Sequence, residues 1–191
     1  MSNNPVNQSI LNQSSKDKFI LVLDVPPFLN KVIIDDKPAT IEPLQLTVYG
    51  GVVPAASVPN ISQGYAGQTQ HITSMHRPDY SPLTVNFIVD NRYHNYYIMW
   101  KWFNGLNEAI QGVYNIDGTQ VKSRGLYDYQ TNMTLYGLDE YNKKTVAFKY
   151  LHAFVTGMGG IEYNYQDSGI ITSNVTFQFD QLNMELIAQI T

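Results

Sequence analysis

Cysteine is absent from this 191-residue chain. Its absence excludes a disulfide framework, a cysteine-ligated zinc site and a thiol nucleophile. Charge is scarce as well: Asp, Glu, Lys and Arg make up 15% of the residues, against about 25% in an average soluble domain. The formal net charge is −4, which argues against the basic surface that sequence-independent nucleic-acid binders need to displace counterions. Long apolar runs are missing. No window approaches the ~20 apolar residues of a membrane-spanning helix, so no membrane anchor is expected. The opening Met-Ser-Asn-Asn-Pro-Val-Asn-Gln lacks both the basic and the apolar region of a signal peptide. Together these absences predict a protein made and used without export through a membrane.

Catalytic motifs are equally sparse. There is no G-x-S-x-G, no Walker-type loop and no G-x-G-x-x-G. Gly157-Met158-Gly159-Gly160 precedes a strand-like segment, so no helix N-terminus is there to cradle a phosphate. The histidines are His71, His76, His94 and His152. His71 and His76 are accompanied by neither cysteine nor a dense carboxylate set, and their spacing puts them on opposite faces of a strand. Asp35-Asp36 and Asp139-Glu140 sit beside lysines in turn-like sequence, as solvated turns do. Catalytic, cofactor and metal sites are therefore not expected, and the chain reads as non-enzymatic.

What is present is a polar but uncharged surface. Asn, Gln, Ser, Thr and 14 tyrosines must cover the molecule. Such a surface is less costly to bury against a partner than one of Lys and Glu, because fewer charges lose their water. Tyrosine adds large contact area with a polar tip. Self-association is the expectation.

Along the chain, residues 1–16 read as a flexible polar arm in which Val6, Ile10 and Leu11 are the only apolar points. These three are candidate contacts if the arm orders on a neighbour. Phe19, Leu21, Leu23 and Val25 alternate as a strand ended by Pro26-Pro27, opening a single β domain over 17–191. Lys31–Asp36 and Leu44–Tyr49 read as short strands, the second closed by Gly50-Gly51. Residues 52–81 are long for a loop and rich in Pro, Gly and small polar residues. They predict a projecting loop or β-arm. Leu83, Val85, Phe87 and Val89 form a clean strand, after which Asp90 or Asn91 can cap a helix over 93–111. Tyr96, Trp100, Phe103, Leu106 and Ile110 recur at three- and four-residue steps and predict its packing face. Met133, Leu135 and Gly137 begin a closing sheet. Three alternating segments follow, Val146/Phe148/Tyr150, Ile161/Tyr163/Tyr165 and Val175/Phe177/Phe179, the last running to about Ile187. The fold class is mainly β with one helix and a long extended arm.

This order of elements resembles the tail tube proteins of contractile-tailed bacteriophages. The resemblance lies in the opening F-I-L-V-L-D-V, in P-L-T-V-N-F-I-V-D-N running into Y-H-N-Y-Y-I-M-W-K-W-F-N, and in the C-terminal run from T-L-Y-G-L-D through V-A-F-K-Y-L-H-A-F-V-T-G-M-G-G to V-T-F-Q-F-D. It covers roughly residues 18–182. It departs after Ala153-Phe154, where the family commonly has Pro and this chain has Val155. The resemblance implies a β-sandwich or half-barrel with a peripheral helix, whose sheets join into an inter-subunit barrel. Hexameric rings would stack into a tube inside a contractile sheath, and double-stranded DNA would pass through the lumen without specific binding. Further partners would be baseplate and tail terminator proteins. The location would be the virion tail, with assembly in the host cytoplasm. By position, the arm at 52–81 matches the family's neighbour-contacting hairpin, with Val58, Ile61, Tyr65, His71, Ile72, Met75, His76 and Tyr80 as candidate subunit contacts. The lumen is expected to be lined by polar alternates of the strands. Three other readings stay open: a tube-initiating baseplate protein, the inner tube of a secretion or injection system, and a carbohydrate-binding β-sandwich using exposed tyrosine and tryptophan.

Overall fold

The computed structural model describes residues 14–24, 26–27, 29, 33–34, 37–38, 47–51, 53–76, 78–111, 129–166 and 168–187. The N-terminal contacts Val6, Ile10 and Leu11 lie outside them, as do the side chains of Leu106 and Ile110. The described elements are β1 (Phe19–Leu23), β2 (Ile33–Ile34), β3 (Lys37–Pro38), β4 (Val48–Gly51), β5 (Ala56–Ser57), β6 (Asn60–Tyr65), β7 (Gln68–Thr73), β8 (Asp79–Tyr80), β9 (Leu83–Ile88), α1 (His94–Gln111), β10 (Thr131–Leu138), β11 (Lys144–Met158), β12 (Thr172–Gln178) and β13 (Gln181–Leu186). The chain is mainly β, as its alternation predicts.

An antiparallel seven-stranded sheet runs β1-β10-β11-β12-β9-β4, with β13 also pairing β11. The long strand β11 joins two parts of it. Its first half pairs β13, from Val146↔Leu186 to Leu151↔Gln181. Its second half pairs β12, from Phe154↔Gln178 to Met158↔Val175. The two halves meet at a bulge, where Thr131 and Met133 of β10 face Ala153 and Tyr150 of β11. His152 takes φ +56° there. The extra residue shifts the inward parity: Tyr150 is buried before it, Ala153 and Val155 after it. The same site explains why the predicted last strand is two. Asp180 N–H donates to Leu151 O at 3.1 Å, a bend follows Phe179, and the chain passes from one half of β11 to the other.

The segment 161–165, expected as a strand, is not one. The place beside β11 is occupied by β12, so these residues find no ladder partner. Tyr163 is 72% exposed. Gly50-Gly51 are the last two residues of β4 and still pair with Asn86 and Val85. Gly157 likewise lies within β11 rather than after it.

The core is built from the inward alternates of the sheet: Leu21, Leu23, Leu83, Val85, Phe87, Met133, Tyr150, Val155, Val175 and Phe177. Helix α1 covers it. Asp90 is the cap: its carboxylate accepts from His94 N–H at 3.0 Å and Asn95 N–H at 3.1 Å, satisfying two of the helix's unpaired donors. Asn95 is fully buried and ties the helix to the sheet, its Nδ2 donating to Thr47 Oγ1 at 2.9 Å and Ile88 O at 2.8 Å. The core-facing side is Ile98, Met99 and Trp102. Trp102 packs edge-on to Phe177 and donates Nε1–H to Tyr129 O at 3.0 Å. Tyr96 and Phe103 pack at the margin of this face. Trp100 does not pack there; it is 46% exposed. Aromatic residues stand on several sides of this helix, so the period identified the element but rotated its face.

Candidate assembly surfaces

Residues 53–76 contain no Asp, Glu, Lys or Arg. Within them β6 and β7 pair in register from Asn60↔Thr73 to Tyr65↔Gln68. The connection is Ala66-Gly67, with φ +51° and +78°. Positive φ at both central residues is the two-residue hairpin geometry that matches strand twist, and glycine supplies one of them without strain. Every residue of both strands is exposed. Shorter strands β5 and β8 pair at the base, Ala56↔Tyr80 and Ser57↔Asp79.

Alternation divides the hairpin into two faces. One carries Ile61, Tyr65 and Ile72 with Gln63, Gln68 and Gln70. The other carries Asn60, Ser62, Thr69, His71 and Thr73, and Ser62 Oγ lies 3.2 Å from His71 Nδ1. Of the predicted contact residues, Val58, Ile61, Tyr65, His71, Ile72, Met75 and His76 all stand exposed on this projection. Met75 is 88% exposed at φ +56°. Tyr80 belongs to the body instead: its ring lies 5.5 Å from that of Phe179. A two-stranded hairpin on its own is marginal in water, and this one has both faces exposed.

The solvent face of the sheet is polar. On β9 and β12 it presents Thr84, Asn86, Asn174 and Thr176, with Thr84 Oγ1 3.4 Å from Thr176 Oγ1. Thr156 of β11 donates to Thr176 O. Toward β13 the charged residues Lys149 and Glu185 pair at 2.7 Å, and Lys144 Nζ lies 3.9 Å from the centre of the Tyr136 ring. His152 Nδ1 lies 3.1 Å from Asp180 Oδ2. Among the described residues, no cluster of three or more His, Cys, Asp or Glu is placed to hold a metal ion. Among them, too, no helix is long and apolar enough to cross a membrane. The turn at Asp139 is an ordinary solvated one, in which its Oδ1 accepts from the N–H of Tyr141 and Lys143.

Exposed apolar residues also stand outside the hairpin. Met184 and Leu186 stand bare on β13, and Tyr163, Tyr165 and Ile170 on the segment 159–171. The hydroxyls of Tyr163 and Tyr93 share a hydrogen bond at 3.1 Å. This bond, ahead of burial, holds the Tyr93 phenol above its usual range. The i, i+2 spacing of Leu182, Met184 and Leu186 was readable, but not which of them the core would reach.

The fold is shared with chains of contractile injection machines. A chain of the PVC extracellular contractile injection system, from its sheath–tube complex in the extended state, superposes with a TM-score of 0.62 at 12% identity, over 98% of this chain and 99% of that one. A chain from the sheath/tube terminator of the same system gives 0.60 at 11% identity, over 93% and 99%. One from the tube-terminating cap of the anti-feeding prophage gives 0.59 at 12% identity, over 98% and 100%. Among curated proteins, no sequence matches this chain. At such low identity these likenesses establish the fold. The assignment itself comes from the sequence, whose residues 15–185 match the model of the phage tail tube protein family. That match takes in both halves of β11, the helix and the whole uncharged hairpin, and the chain belongs to the phage tail tube protein family.

Proposed function

We propose that this tube subunit assembles into hexameric rings that stack into the tube of a contractile phage tail, and that its role is structural rather than catalytic. The observation that carries the reading is the hairpin at 60–73, uncharged and uncovered on a protein of the tail tube family. Joining sheet edges between subunits would cover the edges of β1, β4 and β13 that are unpaired among the described residues, edges that otherwise invite uncontrolled pairing. The polar solvent face of the sheet would line the lumen. Its Thr and Asn side chains, and a Lys149–Glu185 pair that neutralises itself, offer little for DNA phosphates to grip. The helix would lie outside the barrel or at the seam between subunits. The single β domain over 17–191 would be the ring-forming unit, with the 1–16 arm contacting a neighbour. Sheath, baseplate and terminator proteins would be its partners, in the virion tail and, during assembly, in the host cytoplasm.

Likeness to terminator and cap chains supports a second reading, a ring that starts or ends the tube instead of repeating along it. Polymer length separates the two. Electron microscopy of the concentrated protein should show long hollow sixfold tubes for a repeating subunit. Assemblies that stop after one or two rings would favour the terminal role. Rings of another symmetry, or closed twofold dimers, would overturn both.

A further inference from the structure

One face of the sheet strands β1, β10, β11 and β13 is covered by core at one side and bare at the other. A single row across it runs Leu21, Leu135, Phe148, Met184. Leu21 is 3% exposed and Met184 is 63% exposed. The next row runs Phe19, Gly137, Val146, Leu186, and Leu186 is 81% exposed. Leu182 shares this face of β13 and packs on the core. Alternation therefore equips β13 for cover along its length, while the chain's own core reaches only its first member. Gly137 shapes the surface: a Cβ there would lie 2.7 Å from Val146 Cγ1, so its missing side chain gives Val146 room across β10. Lys149 and Glu185 pair with each other on the opposite face, and Lys144, at the start of β11, lies over the Tyr136 ring.

The hairpin presents the matching surface. Ile61, Tyr65 and Ile72 share one uncharged face, and all are exposed. The hairpin leaves the body between β4 and β9, at the far end of the sheet from the β11–β13 pair. We propose that the corner formed by Val146 and Phe148, half-buried on β11, and by Met184 and Leu186, bare on β13, is the socket for the hairpin of a second copy, whose Ile61, Tyr65 and Ile72 seat on it. The proposal rests on the tube-subunit reading above and names the surface that receives the projection. Donor and acceptor are different patches on one chain, so the contact is heterologous. It propagates from copy to copy into a ring or a stack and gives no closed twofold dimer. Neither side brings a charge that would have to be desolvated unpaired.

A chain without cysteine lets introduced pairs be read cleanly. In the Ile72→Cys, Leu186→Cys double variant, mild oxidation of the concentrated full-length protein should give a ladder of linked multimers. Each single variant should stop at dimers. Leu186→Asp should leave the melting temperature of the monomer unchanged and weaken assembly about tenfold or more in sedimentation. The comparison is a chain lacking 58–76, which should not assemble. If that deletion abolishes assembly while Leu186→Asp assembles like the parent and the double variant yields no ladder, the socket is wrong and the tube-subunit reading stands. If Leu186→Cys links to a cysteine placed at Ile10, the corner belongs to the N-terminal arm, and the socket assignment is again overturned. If the deletion assembles normally, the hairpin's part in the tube fails first, and the socket with it.

Discussion

Strands β6 and β9 are both six residues long, and each is paired antiparallel to a neighbour. Their fates are opposite. In β9, Leu83, Val85 and Phe87 are buried on alternate positions, and the polar alternates face out. In β6 both faces meet solvent, although Ile61 and Tyr65 stand on one of them. The difference is what lies above the apolar face. Strand β9 has α1 and the opposing core residues; among the described residues, β6 has its own partner strand alone. Neither strand carries a charge, although β6 is exposed on both faces and β9 is not. A solvated projection has every reason to carry Lys and Glu, and one destined for cover in an assembly does not.

The largest effect should come from breaking the body. Trp102→Ala removes a fully buried side chain and leaves Tyr129 O without its donor. Unfolding in denaturant, followed by circular dichroism, should show a loss of about 3–5 kcal/mol. Tyr65→Ala, an aromatic truncation on the hairpin, should change the same measurement by less than ~0.5 kcal/mol. Comparable losses at the two sites would mean that the hairpin is folded into the body in solution.

A smaller effect is expected at the joint between helix and sheet. Asp90→Ala removes the acceptor of the Arg92, His94 and Asn95 N–H groups. The cost should be about 1–2 kcal/mol, with Asp90→Asn retaining most of the stability. An Asp90→Asn loss as large as that of alanine would show that charge matters more here than the hydrogen bonds.

Tyr150 sets up a subtler test of the core. Its ring packs edge-on to Phe179 at 5.0 Å, and its buried hydroxyl has no hydrogen-bond partner among the described residues. Tyr150→Phe should be neutral or stabilising by up to about 1 kcal/mol at neutral pH. Burial pushes the phenol up to about 12, from an ordinary value near 10. The fold therefore favours the protonated form. Its contribution is intact below pH ~10 and is lost as pH climbs toward 12, where the unfolded chain ionises first. Thermal melts between pH 9 and about 12 should fall less steeply for Tyr150→Phe than for the parent. Parallel slopes would place the phenol in contact with water.

Much of this was legible in the order of residues. The pattern at 83–89, the change of period at 93 and the Pro- and Gly-rich length of 52–81, uncharged through 53–76, each carried their element, because each depends on local alternation and composition. What was not legible depended on partners. Residues 161–165 alternate as a strand should, yet it is β12 that pairs with the second half of β11 and they form no ladder. The split between β12 and β13 follows from the bulge at His152, whose positive φ no residue type announces. Trp100 and Trp102 are equally aromatic, and only the docking of α1 decides which of them is core. The bare end of β13 is the same kind of case: Leu182, Met184 and Leu186 read alike, and the extent of the core tells them apart.

The smallest effect on the isolated chain is the most demanding test of the comparison. Ile61→Asp places a charge on the hairpin's apolar face near its base, where Ile61 pairs with Ile72. In β9 the equivalent change, Phe87→Asp, would bury an unpaired carboxylate and unfold the protein. On the hairpin the carboxylate stays hydrated in the monomer, so melting should shift within ~0.5 kcal/mol. Assembly is where the cost appears, because cover by a neighbour would strip the charge of its water. The expected result is a monomer that melts like the parent but forms no tubes, as judged by melting and electron microscopy on one preparation. A variant that melts much lower would mean that the apolar face already has cover within its own chain. A variant that melts normally and still forms tubes would mean that this face stays wet in the assembly, and that its lack of charge serves something other than contact.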